Sequence, residues 1–273
     1  MTRRARRPVV LAAVLVFLAT VAGCARGVAT VPTLVPGVLR VGSSLDYEPF
    51  EYFQARPGRA PSLKGFDVEL VQAIASRLDL RVRWVDTGFS TIFASLASNN
   101  LDVVAAAATI TPERQQTVNF SNPYFQVNQS LTVNLTRTPA ITSIDKLGRR
   151  DVMAVQSGST GASWANENLL PKGVQLKSFN LSTQMFAELE AGKVTGVIND
   201  EPASRAEVAD LPHLKVVQVI DTGEHYGLAV SKGNPALLRA VNNALDRIIA
   251  DGTYARIFSK YFPGVEVPPQ FEQ

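Results

Sequence analysis

Between Phe66 and Leu78 the chain reads FDVELVQAIASRL. Val68, Val71, Ile74, Ala75 and Leu78 recur at spacings of three and four, and Glu69, Gln72 and Arg77 fall elsewhere. That pattern predicts an amphipathic helix with one buried face. Around it the elements alternate: a strand at Leu39–Ser44, a strand at Arg81–Asp86, a helix at Ser90–Asn99, then the apolar run LDVVAAAA at Leu101–Ala108 as a strand. Strand followed by helix, repeated, implies a mostly parallel sheet with helices on both faces.

A second set begins with SLTVNL (Ser130–Leu135) and a proline-containing connector. It continues with a helix in SIDKLG, a strand at Asp151–Gln156, a helix near GASWANENL and a strand in VQLKSF. A helix in STQMFAELEAG, a strand at Val194–Asn199, a helix from Pro202 and a strand in LKVVQV complete it. The chain closes with a strand in YGLAVSKG and a long helical pair, with Leu237, Leu238, Val241, Leu245, Ile248 and Ile249 as its core face. The expected fold class is α/β with two lobes, each a mainly parallel sheet flanked by helices, and a cleft between them. Residues 38–130 form the first part of lobe one, 131–222 lobe two with flanking hinge strands, 223–264 the return to lobe one, and 265–273 a tail. Such a cleft collects ligand contacts at strand C-terminal ends and helix N-termini.

The first 23 residues have another character: Arg3, Arg4, Arg6 and Arg7 precede an apolar run from Val9 to Ala22. That is a secretory signal peptide, since the run is shorter than the roughly 20 residues a bilayer span needs. It ends in VAGC, which resembles the lipobox of bacterial lipoproteins, and Cys24 is the only cysteine. Cys24 is therefore the expected lipid attachment point, with residues 24–37 (CARGVATVPTLVPG) as a tether and an extracytoplasmic, membrane-anchored location. Removing residues 1–23 takes away four arginines and no acid, and the net charge changes from +3 to −1. The basic character belongs to the export signal, which argues against a nucleic-acid partner.

The stretch ATITPERQQ (Ala108–Gln116) carries a cation where simple electrostatics disfavours one. Thr111 is placed to cap a helix, Pro112 to take its first position, and Arg114 then lies in the first turn, against the helix dipole. Its guanidinium is suited to hold a carboxylate bidentately beside free backbone N–H donors. From spacing alone, a surface or interlobe salt bridge is the competing explanation.

Several motifs occur together and in order: GFDVEL, FSTIFASLASNNLDVVAAAATITPERQQTVNFSNPYF, the VQSGSTG turn, GKVTGVINDEP and GTYARIFSKYFPG. Over Val38 to about Gly264 the chain resembles the polar amino-acid-binding proteins of bacterial ABC importers. The resemblance implies that Arg114 binds the ligand α-carboxylate, and that the Thr109 hydroxyl and Ala107 carbonyl take its ammonium. It implies that the turn at Ser157–Thr160, with Ser159 and above all Thr160, offers N–H groups to the same carboxylate. Asp200 would pair with the ammonium, with a plain helix cap as the alternative. Tyr47 and Phe89 would sandwich the aliphatic part, their loop positions favouring exposure, while Phe50 packs in the core.

Specificity rests on departures from the family pattern. Ser44 stands where binders of basic amino acids often carry an aspartate, although Asp46 is two residues on. Gln156 and Asn199 are neutral amides near the pocket. Glutamine, asparagine or glutamate is the favoured ligand on these grounds. The resemblance further implies capture by lobe closure, delivery to ABC permease and ATPase subunits, a monomer, and no cofactor or metal. An enzyme on the same scaffold, dehydratase-like, and a ligand sensor for a membrane receptor are the alternatives. Against the enzyme, the two histidines, His213 and His225, fall in a predicted surface loop and in the interlobe crossover.

Overall fold

The computed structural model describes residues 31–272. Signal peptide and Cys24 lie outside the described residues. In chain order the elements begin with β1 (Val38–Ser43), β2 (Asp46–Tyr47), β3 (Glu51–Arg56), β4 (Arg59–Lys64), α1 (Phe66–Arg77), β5 (Arg81–Asp86), α2 (Phe89–Ala97), β6 (Val103–Val104) and β7 (Val118–Phe120). There follow β8 (Phe125–Asn134), β9 (Val152–Gln156), α3 (Thr160–Asn168), β10 (Gln175–Phe179), α4 (Ser182–Glu190), β11 (Gly196–Asp200) and α5 (Glu201–Val208). The chain ends with β12 (Leu214–Tyr226), β13 (Ala229–Ser231), α6 (Pro235–Ala250) and α7 (Thr253–Tyr261).

Each lobe holds a five-stranded sheet, ordered β5-β1-β6-β13-β7 in the first and β10-β9-β11-β8-β12 in the second. In each, one strand runs against its neighbours: β13 in the first and β8 in the second. The expected mainly parallel α/β architecture is thus present, with one reversed strand per sheet. The reversed strands are the ones reached by short connections rather than by helical crossovers.

Helices cover both faces of each sheet, and residue alternation decides which side chain goes where. Val103, Ala105 and Ala107 join the core beneath α1, α6 and α7, whereas Val104 and Ala106 join the one beneath α2 with Phe89, Ile92 and Leu96. Only Val103 and Val104 of the predicted strand Leu101–Ala108 form a ladder, yet the alternation continues to Ala107. In the second lobe Met153 and Val155 face the α3 side and Ala154 faces α4.

The lobes are joined by the long antiparallel pair β8 and β12. Within β8, Leu131–Val133 pair with β11 and are sheet interior. Phe125–Val127 pair with Glu224–Tyr226 beyond a register shift, and there the Asn128 Oδ1 accepts from the Thr222 and Gly223 N–H groups, both at 3.0 Å. β3 and β4 form a hairpin around Pro57 and Gly58 that the hydrophobic pattern left as loop.

Two terminal expectations change. The end of the expected tether is docked: Leu34 N–H donates to Asp102 Oδ1 at 2.7 Å and Asn234 Nδ2 to the Pro32 carbonyl at 2.8 Å. The tail packs back through Phe271, which is buried with its ring 5.1 Å from that of Tyr254. Among the described residues no helix is long and apolar enough to cross a membrane.

Candidate functional site

The strand ends and helix starts of both lobes converge on one cavity. Ser44, Tyr47, Glu51, Phe89, Ala107, Thr109 and Arg114 line it from the first lobe, and Gln156, Ser159, Thr160 and Asp200 from the second. Ten of the eleven candidates named from sequence therefore meet at one place, and Asn199 is the exception. It stands beside Asp200 and accepts from the Tyr47 hydroxyl at 3.1 Å.

Arg114 does not enter through a helix. Thr111 caps the turn as expected, its hydroxyl accepting from Arg114 N–H at 3.1 Å, but the turn is a single 3-10 turn over Arg114–Gln116. β7 begins at Val118, where Thr117 and Val118 favour strand over helix. The side chain packs over two rings, with Cζ 5.3 Å from the Phe89 centroid and 4.8 Å from that of Phe93. Nη1 donates to the Thr109 carbonyl at 2.7 Å and Nη2 across the cleft to the Gly158 carbonyl at 3.0 Å. Burial lowers its pKa, opposed by the charges of Asp200 and Glu224.

Asp200 ends β11 and is buried. Its side chain caps no helix, which removes the plain-cap alternative. Oδ2 accepts from the Tyr47 hydroxyl at 2.7 Å and from the Tyr226 hydroxyl, and Oδ1 from Gln129 Nε2 at 2.5 Å. Burial first, and then the nearby Glu224, push its pKa up to about 6; the three donors act in the opposite direction.

Glu224, on the crossover strand, was not singled out in the sequence. Its Oε2 accepts from the Thr109 hydroxyl at 2.8 Å and the Thr160 hydroxyl at 2.6 Å, and its Oε1 from Gln129 at 3.0 Å. It ties one lobe to the other through the two threonines expected to touch ligand. Ser159 caps α3, its Oγ accepting from Ala162 N–H at 3.0 Å. Gly158 has φ +78°, and a Cβ there would come within 3.1 Å of Ser90 Cα in the facing lobe, so this contact between lobes requires glycine.

Other expectations are corrected. Tyr47 and Phe89 are buried, at 6% and 8% exposure, because Tyr47 reaches Asp200 and Phe89 lies beneath Arg114. Asp46 does not line the cavity; it accepts from the Ser44 hydroxyl at 3.0 Å and from Thr183 N–H of α4. Ala107 has φ +45°, a conformation that strains a residue with a Cβ. Its N–H is held by Asp67 Oδ2 at 3.0 Å, and the same oxygen accepts from Tyr124 at 2.6 Å. No residue set among the described residues could hold a metal ion, and His213 and His225 lie off the cavity. The remaining space is about 10 Å³, enough for one water.

The chain resembles known proteins across most of its length. A probable histidine-binding protein of Neisseria gonorrhoeae is 30% identical over 238 residues, covering 86% of this chain and 87% of that one. The lysine/arginine/ornithine-binding periplasmic protein of Escherichia coli K12 is 27% identical over 236 residues, covering 84% and 88%. Among solved structures, an ancestral arginine-binding protein bound to arginine superposes with a TM-score of 0.77 at 37% identity, over 83% of this chain and 98% of that one. The ancestral amino acid-binding protein AncCDT-1, a precursor of cyclohexadienyl dehydratase, gives 0.76 at 34% identity, over 83% and 96%. Residues 39–264 match the bacterial extracellular solute-binding proteins, family 3, and the chain belongs to that family.

Proposed function

We propose that this protein captures a free polar amino acid between its lobes and delivers it to the permease of an ABC importer. The observation that carries the reading is the pairing of one cation and one acid across the cavity: Arg114 on the first lobe, Asp200 on the second. An amino acid presents a carboxylate and an ammonium a few ångströms apart, and this arrangement is complementary to both. Thr109, Ala107 and Thr160 would complete the contacts. Closure would exchange the present bonds of Arg114 to carbonyls and of Glu224 to the threonines for bonds to ligand.

Glutamine, asparagine and glutamate are the ligands the sequence favours. The acids at Glu51, Asp200 and Glu224 support a side chain that donates hydrogen bonds, so the amides fit better than glutamate. The ligands that the relatives are named for, histidine, arginine and lysine among them, belong to the same donor-rich class. Cys24 would carry the lipid that keeps the exported protein at the membrane. The dehydratase precursor among the neighbours keeps an enzyme reading alive; recovery of the bound compound unchanged after incubation would exclude it. The deciding test is Arg114→Ala, measured by calorimetry on refolded protein. Amino-acid affinity should fall by about 2–5 kcal/mol with the melting transition retained, and an unchanged affinity would sink the assignment.

A further inference from the structure

Helix α4 starts without a cap of its own. Leu181 holds the N-cap place, with φ −113° and ψ 141°, and the first turn carries no acid. A leucine side chain accepts no hydrogen bond, so the free N–H groups of that turn need an acceptor from elsewhere. It comes from the other lobe: Asp46 Oδ2 accepts from Thr183 N–H at 3.5 Å, the second helical N–H, which a capping side chain would take. Burial raises the Asp46 pKa, with Asp86 adding to the rise, while the Ser44 hydroxyl and the N–H groups of Thr183 and Ser182 lower it. A carboxylate is thereby set against the positive end of α4. β2 reaches the second lobe with two adjacent side chains: Tyr47 bonds Asp200 at the cavity, and Asp46 meets α4 outside the cavity lining.

We propose that Asp46 is a positioning residue for capture: it caps α4 from the opposite lobe only when the lobes meet, and so holds the closed form without touching the ligand. The proposal rests on the amino-acid reading above. In an open molecule the first-turn N–H groups of α4 would return to water. The difference between the two states adds to the affinity for any ligand that closes the lobes. Glu207 of α5, half-buried, opposes the approach. Burial first, then Asp46 and Glu48, pushes its pKa up to about 7, so at neutral pH it is charged about half the time and the repulsion is correspondingly weak.

Position 181 separates a cap made on closure from a fixed structural contact. Its backbone already has the extended conformation of a capping serine, so a hydroxyl there would cap α4 in either state. Leu181→Ser should therefore raise the melting temperature and yet weaken binding, because α4 then gains less on closure. That variant leaves the bond from Ser44 to Asp46 intact, so an effect routed through Ser44 in the cavity wall would leave its affinity as in wild type.

The experiment uses the full chain, unfolded and refolded to strip carried ligand, with L-glutamine, L-arginine and L-histidine as probes in titration calorimetry and stopped flow. Asp46→Ala should weaken every probe that binds by the same factor, about threefold to tenfold, chiefly through faster dissociation and with cooperative melting retained. Leu181→Ser should weaken each by about twofold to fivefold and melt at a higher temperature. In the Leu181→Ser background, Asp46→Ala should cost less than about twofold. Unchanged or tighter binding in Asp46→Ala, a loss confined to one ligand side chain, or the same loss in both backgrounds overturns the proposal. If no probe binds a cooperatively melting wild type, the amino-acid reading itself fails and takes this proposal with it.

Discussion

Asp67 and Asp200 are the same residue type in the same condition: buried, with a pKa pushed up to about 6 chiefly by desolvation. They differ in who supplies the donors. Asp67 takes the Ala107 N–H and the Tyr124 hydroxyl, both within the first lobe. Asp200, on the second lobe, takes Gln129 from the adjacent strand but depends for its other oxygen on Tyr47 and Tyr226, which pack in the first lobe's core. Both donors to Asp67 Oδ2 belong to its own lobe, and its Oδ1 has no donor, whereas Asp200 keeps the donors to its Oδ2 only where the lobes meet. Burial and titration do not separate a structural acid from the acid proposed to bind ligand; the location of the partners does.

The largest expected effect breaks the structural side of the pair. Asp67→Ala leaves two buried donors unpaired, each worth about 1–3 kcal/mol, so denaturant unfolding should lose about 2–5 kcal/mol. Asp200→Ala should cost less than half of that in unfolding free energy while removing measurable amino-acid binding. Equal losses of stability in the two variants would erase the distinction.

Titration sharpens it. The folded pKa of Asp200 lies above its ordinary 3.8, so in the empty protein its contribution to stability is full below about 3.8 and lost as pH rises through about 6. Ligand binding has the opposite sign, because an ammonium requires the carboxylate. Affinity should therefore fall up to about tenfold per pH unit below about 6. Calorimetry at pH 5 and 7 should find this dependence kept in Asp67→Asn and lost in Asp200→Asn. The smallest effect is Tyr47→Phe, which removes one cross-lobe donor: a loss of about 1 kcal/mol in ligand affinity, with the melting temperature nearly unchanged.

The parts of the site that were legible in the sequence are those carried by motif. TITPER placed Arg114 and Thr109, and IND placed Asp200 at the end of an apolar strand, where the sheet delivers it to the cleft. What was not legible depends on pairing between distant segments. Glu51 is buried at the cavity because it pairs with Tyr47 of β2 at the start of the hairpin that β3 forms with β4, and one register step would have put it in solvent. Glu224 is in the cleft because β12 continues seven residues past LKVVQV, the run that announced it, through a register shift no local pattern encodes. Arg114 was expected on a helix because Thr111 and Pro112 resemble a helix start; Val118 and its pairing with β13 stopped the helix after one turn.

The cavity of about 10 Å³ sets the order of events. An amino acid does not fit a space that holds one water, so on the proposed capture reading association would wait for the lobes to part. At low ligand concentration the observed rate should grow with concentration, and at high concentration it should level off at the opening rate. Residence time obeys the same gate from the inside: a loaded molecule empties no faster than it opens. On that reading the bonds of Glu224, Gly158 and Tyr47 across the cleft would govern how quickly cargo is exchanged as well as how tightly it is held.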